Sequence, residues 1–303
     1  MGLFSLFKES NTLYFPGCTG FFRFRSNSDL YLQIFSKLGF DFKAIEKNFC
    51  CGLDLIESGY ESEARKLARR NFEIFKENEI KGIVTTEPGS YMMFLKNYSE
   101  IIPDWNIETM NIWEMILDKL LKKPKLIKNK AVETAAYHDS CYLGRYCGIY
   151  NAPRKILEAV GYEIIEMDNT MENSFCCGSC GGLPRTNPIL ANKIAKERIL
   201  QAKRIGAKKM IVLGFQNYSI LKKNSKDSGV RILELSEILA DALGIKKIED
   251  NEKLEKFEED VEGEEMILEE NGKIKEEEII RETESDAELK DELKDENYEE
   301  DLK

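Results

Sequence analysis

Ser174-Phe175-Cys176-Cys177-Gly178-Ser179-Cys180-Gly181-Gly182 gathers three thiols and three glycines into nine residues. Successive side chains on a strand or a helix point in different directions, so neighbouring cysteines do not both fit one ordinary core. A glycine-loosened loop that turns both sulfurs toward one point is the better reading. The same device recurs at Phe49-Cys50-Cys51-Gly52. The chain carries it twice.

Working outward from the two loops, the surroundings repeat as well. In the first half, Thr12 to Phe15 reads as a buried strand leading into Pro16-Gly17-Cys18. Ser28 or Asp29 is a candidate cap for a helix with Leu30, Ile34, Phe35 and Leu38 on one face, ending at Gly39. Phe40 to Ile45 reads as a second strand, and Glu61 to Asn78 as an amphipathic helix through Ala64, Leu67, Ala68, Phe72 and Phe75. A strand at Gly82 to Thr86 opens onto Glu87-Pro88-Gly89-Ser90. A strand near Ile107 and a helix from Asn111 to Leu121 follow. In the second half, Ala135 to Cys141 matches the first strand and Cys18, and Val160 to Ile164 matches the second strand. Asn187 and Pro188 begin a long helix through Ala191, Ile194, Ala195, Ile199 and Ala202, ended by Gly206. Lys209 to Leu213 leads into Gly214-Phe215-Gln216-Asn217, and strand Arg231 to Leu235 precedes a helix from Ser236 to Leu243.

Strands alternating with helices imply an α/β fold: two tandem duplicated α/β repeats with parallel sheets, plus an acidic C-terminal tail. The expected division is a leader at 1–11, a first repeat at 12–121, a linker at 122–130, a second repeat at 131–245 and the tail at 250–303. In parallel α/β sheets ligands collect where loops leave the C-terminal ends of the strands. Cys18, Glu87, Cys141 and Gly214 all fall at such ends.

The chain has 303 residues and a formal charge of −11, but residues 251–303 alone hold 24 acidic and 8 basic side chains, leaving the body mildly basic at about +5. No dense basic stripe or nucleic-acid motif is present, and no segment approaches the roughly 18 apolar residues of a membrane span. Met1 to Phe7 is too short for a signal-peptide core, so a cytoplasmic location is the expectation. In a reducing compartment, eight cysteines read as metal ligands or redox thiols rather than disulfides. His138 is the single histidine, which excludes His-rich metal sites. The tail reads as a solvated, disordered or loosely helical acidic segment with a hairpin signal at Asn271-Gly272; an interaction arm for a basic partner is the alternative.

The doubled pattern resembles the CCG-domain (cysteine-rich domain) family of iron–sulfur proteins, which includes heterodisulfide reductase-related subunits and those of glycolate oxidase and lactate utilisation. The family pattern is a cysteine, a thirty-odd-residue gap, Cys-Cys-Gly, a similar gap and Cys-x-x-Cys. Here 31 residues separate Cys18 from Cys50, and 34 separate Cys141 from Cys176. His138-Asp139-Ser140-Cys141-Tyr142-Leu143-Gly144-Arg145 also looks like the family's second repeat. Where the family closes with Cys-x-x-Cys, this chain has Glu87-Pro88-Gly89-Ser90 and Gly214-Phe215-Gln216-Asn217, so all four closing thiols are absent.

The resemblance implies an iron–sulfur electron-transfer or thiol/disulfide oxidoreductase subunit. In the second copy Cys141, Cys176, Cys177 and Cys180 supply the four thiolates of an ordinary [4Fe–4S] cluster, with Cys147 in reserve. The first copy offers Cys18, Cys50 and Cys51, with Glu87 as a harder carboxylate fourth ligand. Zinc is the rival metal, since three or four thiolates also suit it, and a non-catalytic scaffold or interaction subunit of a redox complex is the alternative function. The chain has neither a ferredoxin cysteine run nor a dinucleotide fingerprint, so a ferredoxin-like or flavin-containing subunit is the expected electron partner. His138 reads as an organiser of the loop before Cys141, with proton delivery as the alternative. Arg145 reads as a partner for an anionic cluster or substrate, or as a surface ion pair. Glycines 178 to 182 leave backbone N–H groups free to reach sulfur.

Overall fold

A computed structural model describes residues 11–44 and 50–246. The first ten residues of the expected leader and the acidic tail lie outside the described residues.

The first half opens with strand β1 (Thr12–Phe15), a short helix α1 (Gly17–Phe22) and helix α2 (Arg25–Leu38). After the Cys-Cys-Gly loop come α3 (Leu53–Glu57), α4 (Glu61–Glu77) and β2 (Gly82–Thr85). Then α5 (Pro88–Met92) runs through a π-helical turn at Met93–Asn97 into α6 (Tyr98–Ile101), before β3 (Glu108–Thr109) and α7 (Ile112–Lys122). The second half has β4 (Glu133–Tyr137), a π-helical turn at Tyr142–Tyr146, α8 (Asn151–Ala159), β5 (Tyr162–Ile164) and α9 (Leu183–Thr186). It ends with α10 (Pro188–Arg204), β6 (Lys209–Val212), α11 (Phe215–Lys223), β7 (Arg231–Glu234) and α12 (Leu235–Ala242).

Two parallel sheets result, in the orders β1-β2-β3 and β5-β4-β6-β7. Of the strand expected at Phe40 to Ile45, the described residues, which stop at 44, form one parallel bridge between Leu13 and Lys43, closed by Tyr14 N–H to Lys43 O at 2.9 Å and Lys43 N–H to Thr12 O at 2.7 Å. That bridge sits on the free side of β1, as β5 sits beside β4. The two sheets therefore share one strand order, as a duplication requires. Local chemistry sets the ends: Asn187 caps α10 by accepting from Leu190 N–H at 3.0 Å, and Asn111 caps α7. The cap expected at Ser28 or Asp29 is not used. Helix α2 begins at Arg25, because Ser28 is drawn away to donate to Gly20 O at 2.9 Å.

The halves interlock through their apolar faces. One continuous cluster takes Tyr14, Tyr31, Phe35 and Trp113 from the first half and Tyr137, Phe215, Leu221 and Leu239 from the second, while a smaller one lies beneath α4 and α5 around Phe72, Phe75 and Phe94. Phe24 and Tyr31 meet Phe215 with ring centroids 5.5 and 6.1 Å apart. Tyr31 also donates to the buried Glu234 carboxylate at 2.9 Å. Burying two such aromatic faces against each other is worth several kcal/mol at about 25 cal/mol per Å² of apolar surface. This packing brings the C-terminal ends of both sheets to one locality. No helix among the described residues is long and apolar enough to cross a membrane.

Candidate metal centres

Each Cys-Cys-Gly loop turns on a glycine in the left-handed region, Gly52 at φ 88° and Gly178 at φ 83°. That turn aims the Gly52 N–H at Cys50 Sγ (3.4 Å) and the Gly178 N–H at Cys176 Sγ (3.3 Å). In each half the cysteine following the first strand then points at the loop. Cys18 Sγ lies 3.9 Å from Cys50 Sγ, and Cys141 Sγ lies 3.8 Å from Cys180 Sγ and also within hydrogen-bond reach of Cys176. These are contacts between packed thiols, far longer than an S–S bond, and all eight cysteines are free.

The two sets share an electrostatic pattern. Cys50 and Cys176 are drawn far below the ordinary thiol range, first by hydrogen bonds from Cys18 and Cys141, then by those from the adjacent Cys51 and Cys177. Cys18 and Cys141 are pushed up as donors in those bonds, and the buried Cys51 and Cys177 rise with them. Cys180 is lowered by the bond from Cys141, against its burial. The second half thus has two sulfurs that favour the thiolate, and the first half has one.

Three of the four positions of the missing closing thiols carry polar side chains, Glu87, Ser90 and Asn217, and the fourth is Gly214. Ser90 donates to Cys51 Sγ at 3.4 Å; Cys177 reaches Asn217 Oδ1 at 3.3 Å, and Ser179 donates to the same oxygen at 2.8 Å. Glu87 crosses to the other half, where its carboxylate accepts the N–H groups of Phe215 (2.5 Å) and Gln216 at the start of α11. Burial pushes its pKa up to about 8, with Glu234 and Cys180 adding to the rise and the two N–H bonds opposing it. Glycines make the crossing possible. A Cβ on Gly17 would lie 2.6 Å from Glu87 Cγ, and one on Gly214 2.5 Å from Pro88 Cδ. Glu87 lines a pocket of about 20 Å³ with Cys18, Cys50, Cys51, Ser90 and Gln216, room for one water.

Elements of one half also brace the loop of the other. Glu57, at the end of α3, accepts from Tyr142 Oη at 2.5 Å and from Gly181 N–H at 2.9 Å. Arg145 is an anchor: its guanidinium donates to Ser174 O at 2.6 Å and Oγ at 3.1 Å, fixing the entry to Cys176. Asp139 is held by a bidentate pair with Arg154 at 2.7 and 2.8 Å, and Arg154 also grips Glu166. Buried His138 is pushed down to about 3, chiefly by burial and then by Arg198, and so is neutral; its Nδ1 accepts from Arg198 Nε at 3.1 Å. Cys147 ends the π-helical turn and packs against the apolar clusters near Tyr91 and Lys96.

Sequence reasoning passed over Glu57, Ser179 and Arg198. Arg198 had a visible signal, a basic residue inside the buried stripe of Ala191, Ala195, Ile199 and Ala202. Two buried polar atoms near the second thiol set, Ser140 Oγ and Arg198 Nη2, lack a hydrogen-bond partner among the described residues. Four thiols and two orphaned donors form a donor set of the kind an anionic iron–sulfur cluster takes. The first set has three thiols, and its carboxylate is occupied by α11. Among the described residues, no three His, Cys, Asp or Glu side chains are drawn around a single-ion position.

Two halves of like topology, each with a Cys-Cys-Gly loop facing a strand-end cysteine, define a duplicated cysteine-rich module. A model of the cysteine-rich domain (CCG) family matches residues 12–95 and again 135–213, and the chain belongs to that family. Among curated relatives, one of the subunits of the dihydromethanophenazine:CoB--CoM heterodisulfide reductase of Methanosarcina mazei is 30% identical over 201 residues, 64% of this chain and 49% of the relative. The probable iron-sulfur-binding oxidoreductase FadF of Bacillus subtilis is 34% identical over 203 residues, covering 64% of this chain and 28% of FadF. EtfAB:quinone oxidoreductase of Syntrophomonas wolfei is 32% identical over 179 residues, covering 58% and 25%. The chain spans half or less of the length of these three relatives. A solved Asp/Glu racemase structure from Yersinia pestis overlaps 77% of the chain at 13% identity with a TM-score of 0.35, too low to bear on the fold.

Proposed function

We propose that this chain is an iron–sulfur electron-transfer subunit acting in thiol/disulfide redox chemistry, with one [4Fe–4S] cluster held by Cys141, Cys176, Cys177 and Cys180. The observation that carries the reading is the convergence of those four thiols beside two unpartnered buried donors. The relatives' descriptions as a heterodisulfide reductase component, an iron-sulfur-binding oxidoreductase and a quinone oxidoreductase support a redox role. When bound, the cluster would supply one-electron transfer.

The chain's own residues do the holding. Gly178 N–H steadies Cys176, Asn217 and Ser179 steady Cys177, and Arg145 fixes the loop entry. The first set, Cys18, Cys50 and Cys51, is one thiol short. Glu87 acts there as a clasp on α11 rather than as a ligand. The electron partner in this reading is a ferredoxin-like or flavin-containing module, which the redox-enzyme descriptions of the relatives support.

The test is cysteine-by-cysteine replacement in anaerobically prepared full-length protein, read by iron content and electron paramagnetic resonance. Cys176→Ser and Cys180→Ser are expected to abolish or strongly broaden the cluster signal, while Cys51→Ser leaves it. Loss of the signal in Cys51→Ser, with Cys180→Ser unchanged, would place the cluster in the wrong half.

A further inference from the structure

The duplication supplies an internal comparison for every residue behind the thiols. Helices α4 and α10 align position for position, Ala64 with Ala191, Ala68 with Ala195, Phe72 with Ile199 and Phe75 with Ala202. On that alignment the buried Asn71 corresponds to Arg198. Phe15, three residues before Cys18, corresponds to His138, three before Cys141. In the first half Asn71 donates to Cys50 O and to Tyr98 Oη, both at 2.8 Å, and carries no charge. In the second half the same place holds a guanidinium.

Arg198 is fully buried. Its Nε donates to neutral His138, and its Nη1 to Asn169 O and Gln201 Oε1, both at 2.8 Å, while Nη2 has no partner among the described residues. No carboxylate touches it among the described residues; Asp139 and Glu166 both pair with Arg154, and of these charges Asp139 acts on Arg198 most strongly from a distance. A buried cation with no carboxylate in direct contact is costly unless further anionic charge offsets it. The aligned Asn71 reaches the Cys-Cys-Gly loop of the first half at Cys50 O, and in the second half the Cys177 charge, after that of Asp139, acts on Arg198, so the thiol set lies beside it.

We propose that Arg198 is a built-in counter-cation of the second centre, a positioning charge that makes an anionic group bound at Cys141, Cys176, Cys177 and Cys180 easier to reduce than on the uncharged Asn71/Phe15 scaffold of the first half. Adding one electron from a ferredoxin-like or flavin donor makes the bound group more negative, and the fixed cation favours that form. The inference rests on the cluster reading above.

The experiment is a redox titration of the iron-loaded full chain, followed by electron paramagnetic resonance, for wild type, Arg198→Met and Arg198→Lys. Arg198→Met should lower the reduced-to-oxidised ratio at a given potential by about tenfold, which is 59 mV for one electron, and Arg198→Lys should stay within about threefold of wild type. In iron-free protein, Arg198→Met sheds a buried charge but strands the acceptors His138 Nδ1, Asn169 O and Gln201 Oε1, so urea denaturation is used to establish that each variant folds. An unchanged midpoint in Arg198→Met would overturn the inference, as would equal shifts in both variants; if Arg198→Met fails to fold, Arg198→Gln, uncharged but still a donor, takes its place with the same two outcomes. If wild type itself holds no iron, the cluster reading fails first and takes this inference with it. Iron-loaded wild type with a midpoint indifferent to Arg198 sinks only this one.

Discussion

Glu87→Gln should change how the stability of the iron-free protein depends on pH. The Glu87 carboxyl is 4% exposed and its pKa is raised to about 8 from an ordinary 4.5, mainly by burial. The folded state therefore holds this proton more tightly than the unfolded chain, and its stability falls as pH rises from about 4.5 to about 8. At 1.36 kcal/mol per pH unit, crossing that window costs the wild type up to about 4–5 kcal/mol, an order-of-magnitude ceiling. Glutamine cannot ionise and escapes the loss. It can still accept the Phe215 N–H, but it leaves the Gln216 N–H less well served, a penalty of about 1–3 kcal/mol at every pH. Glu234, raised to about 7 for the same reason, contributes to both proteins and largely cancels in the comparison. Urea denaturation under reducing conditions at pH 5, 7 and 8.5 gives the answer. The variant should be the less stable protein at pH 5 and gain steadily on wild type toward pH 8.5. Parallel curves at all three pH values would refute the assignment of Glu87 as a buried, proton-holding clasp.

Other substitutions probe the same architecture. Arg154→Met strands the Asp139 carboxylate, whose side chain is 2% exposed, and should cost about 3–5 kcal/mol by urea denaturation at pH 7. Burial raises Asp139 and Glu166, but their bonds to Arg154 outweigh it and both end below their ordinary values; wild-type stability from this cluster is present above about pH 4.5 and lost as pH falls through the lowered values. Acid denaturation should therefore be less steep in the variant. Gly178→Ala forces a Cβ to 2.6 Å from Ala191 O at φ +83°, so it should lose about 2 kcal/mol or more in thermal unfolding of the iron-free protein and weaken iron retention. Cys147→Ser, placed against the apolar clusters, should leave iron content unchanged, in contrast to Cys180→Ser.

Much of this was legible in the sequence because the information was local and doubled. Two Cys-Cys-Gly loops at matched distances from Cys18 and Cys141 announced a repeat, and alternating strands and helices announced parallel sheets. Helix ends with their own chemistry, such as Asn187-Pro188, fell where propensity puts them. Ser28 did not, because a tertiary acceptor, Gly20 O, outcompeted the cap it could have made. The crossing of Glu87 to α11 could not be read from either half alone. It depends on how the halves pack and on Gly17 and Gly214 clearing the path. Arg198 was readable in principle. A charged residue in an apolar stripe gains meaning only beside Asn71 on the aligned helix.

The most direct test of the account is the iron and sulfide content of the full chain purified without oxygen. About four irons and a matching amount of inorganic sulfide per chain, lost in Cys180→Ser, are the predicted result. Colourless protein with no iron, or stoichiometric zinc in its place, would contradict it.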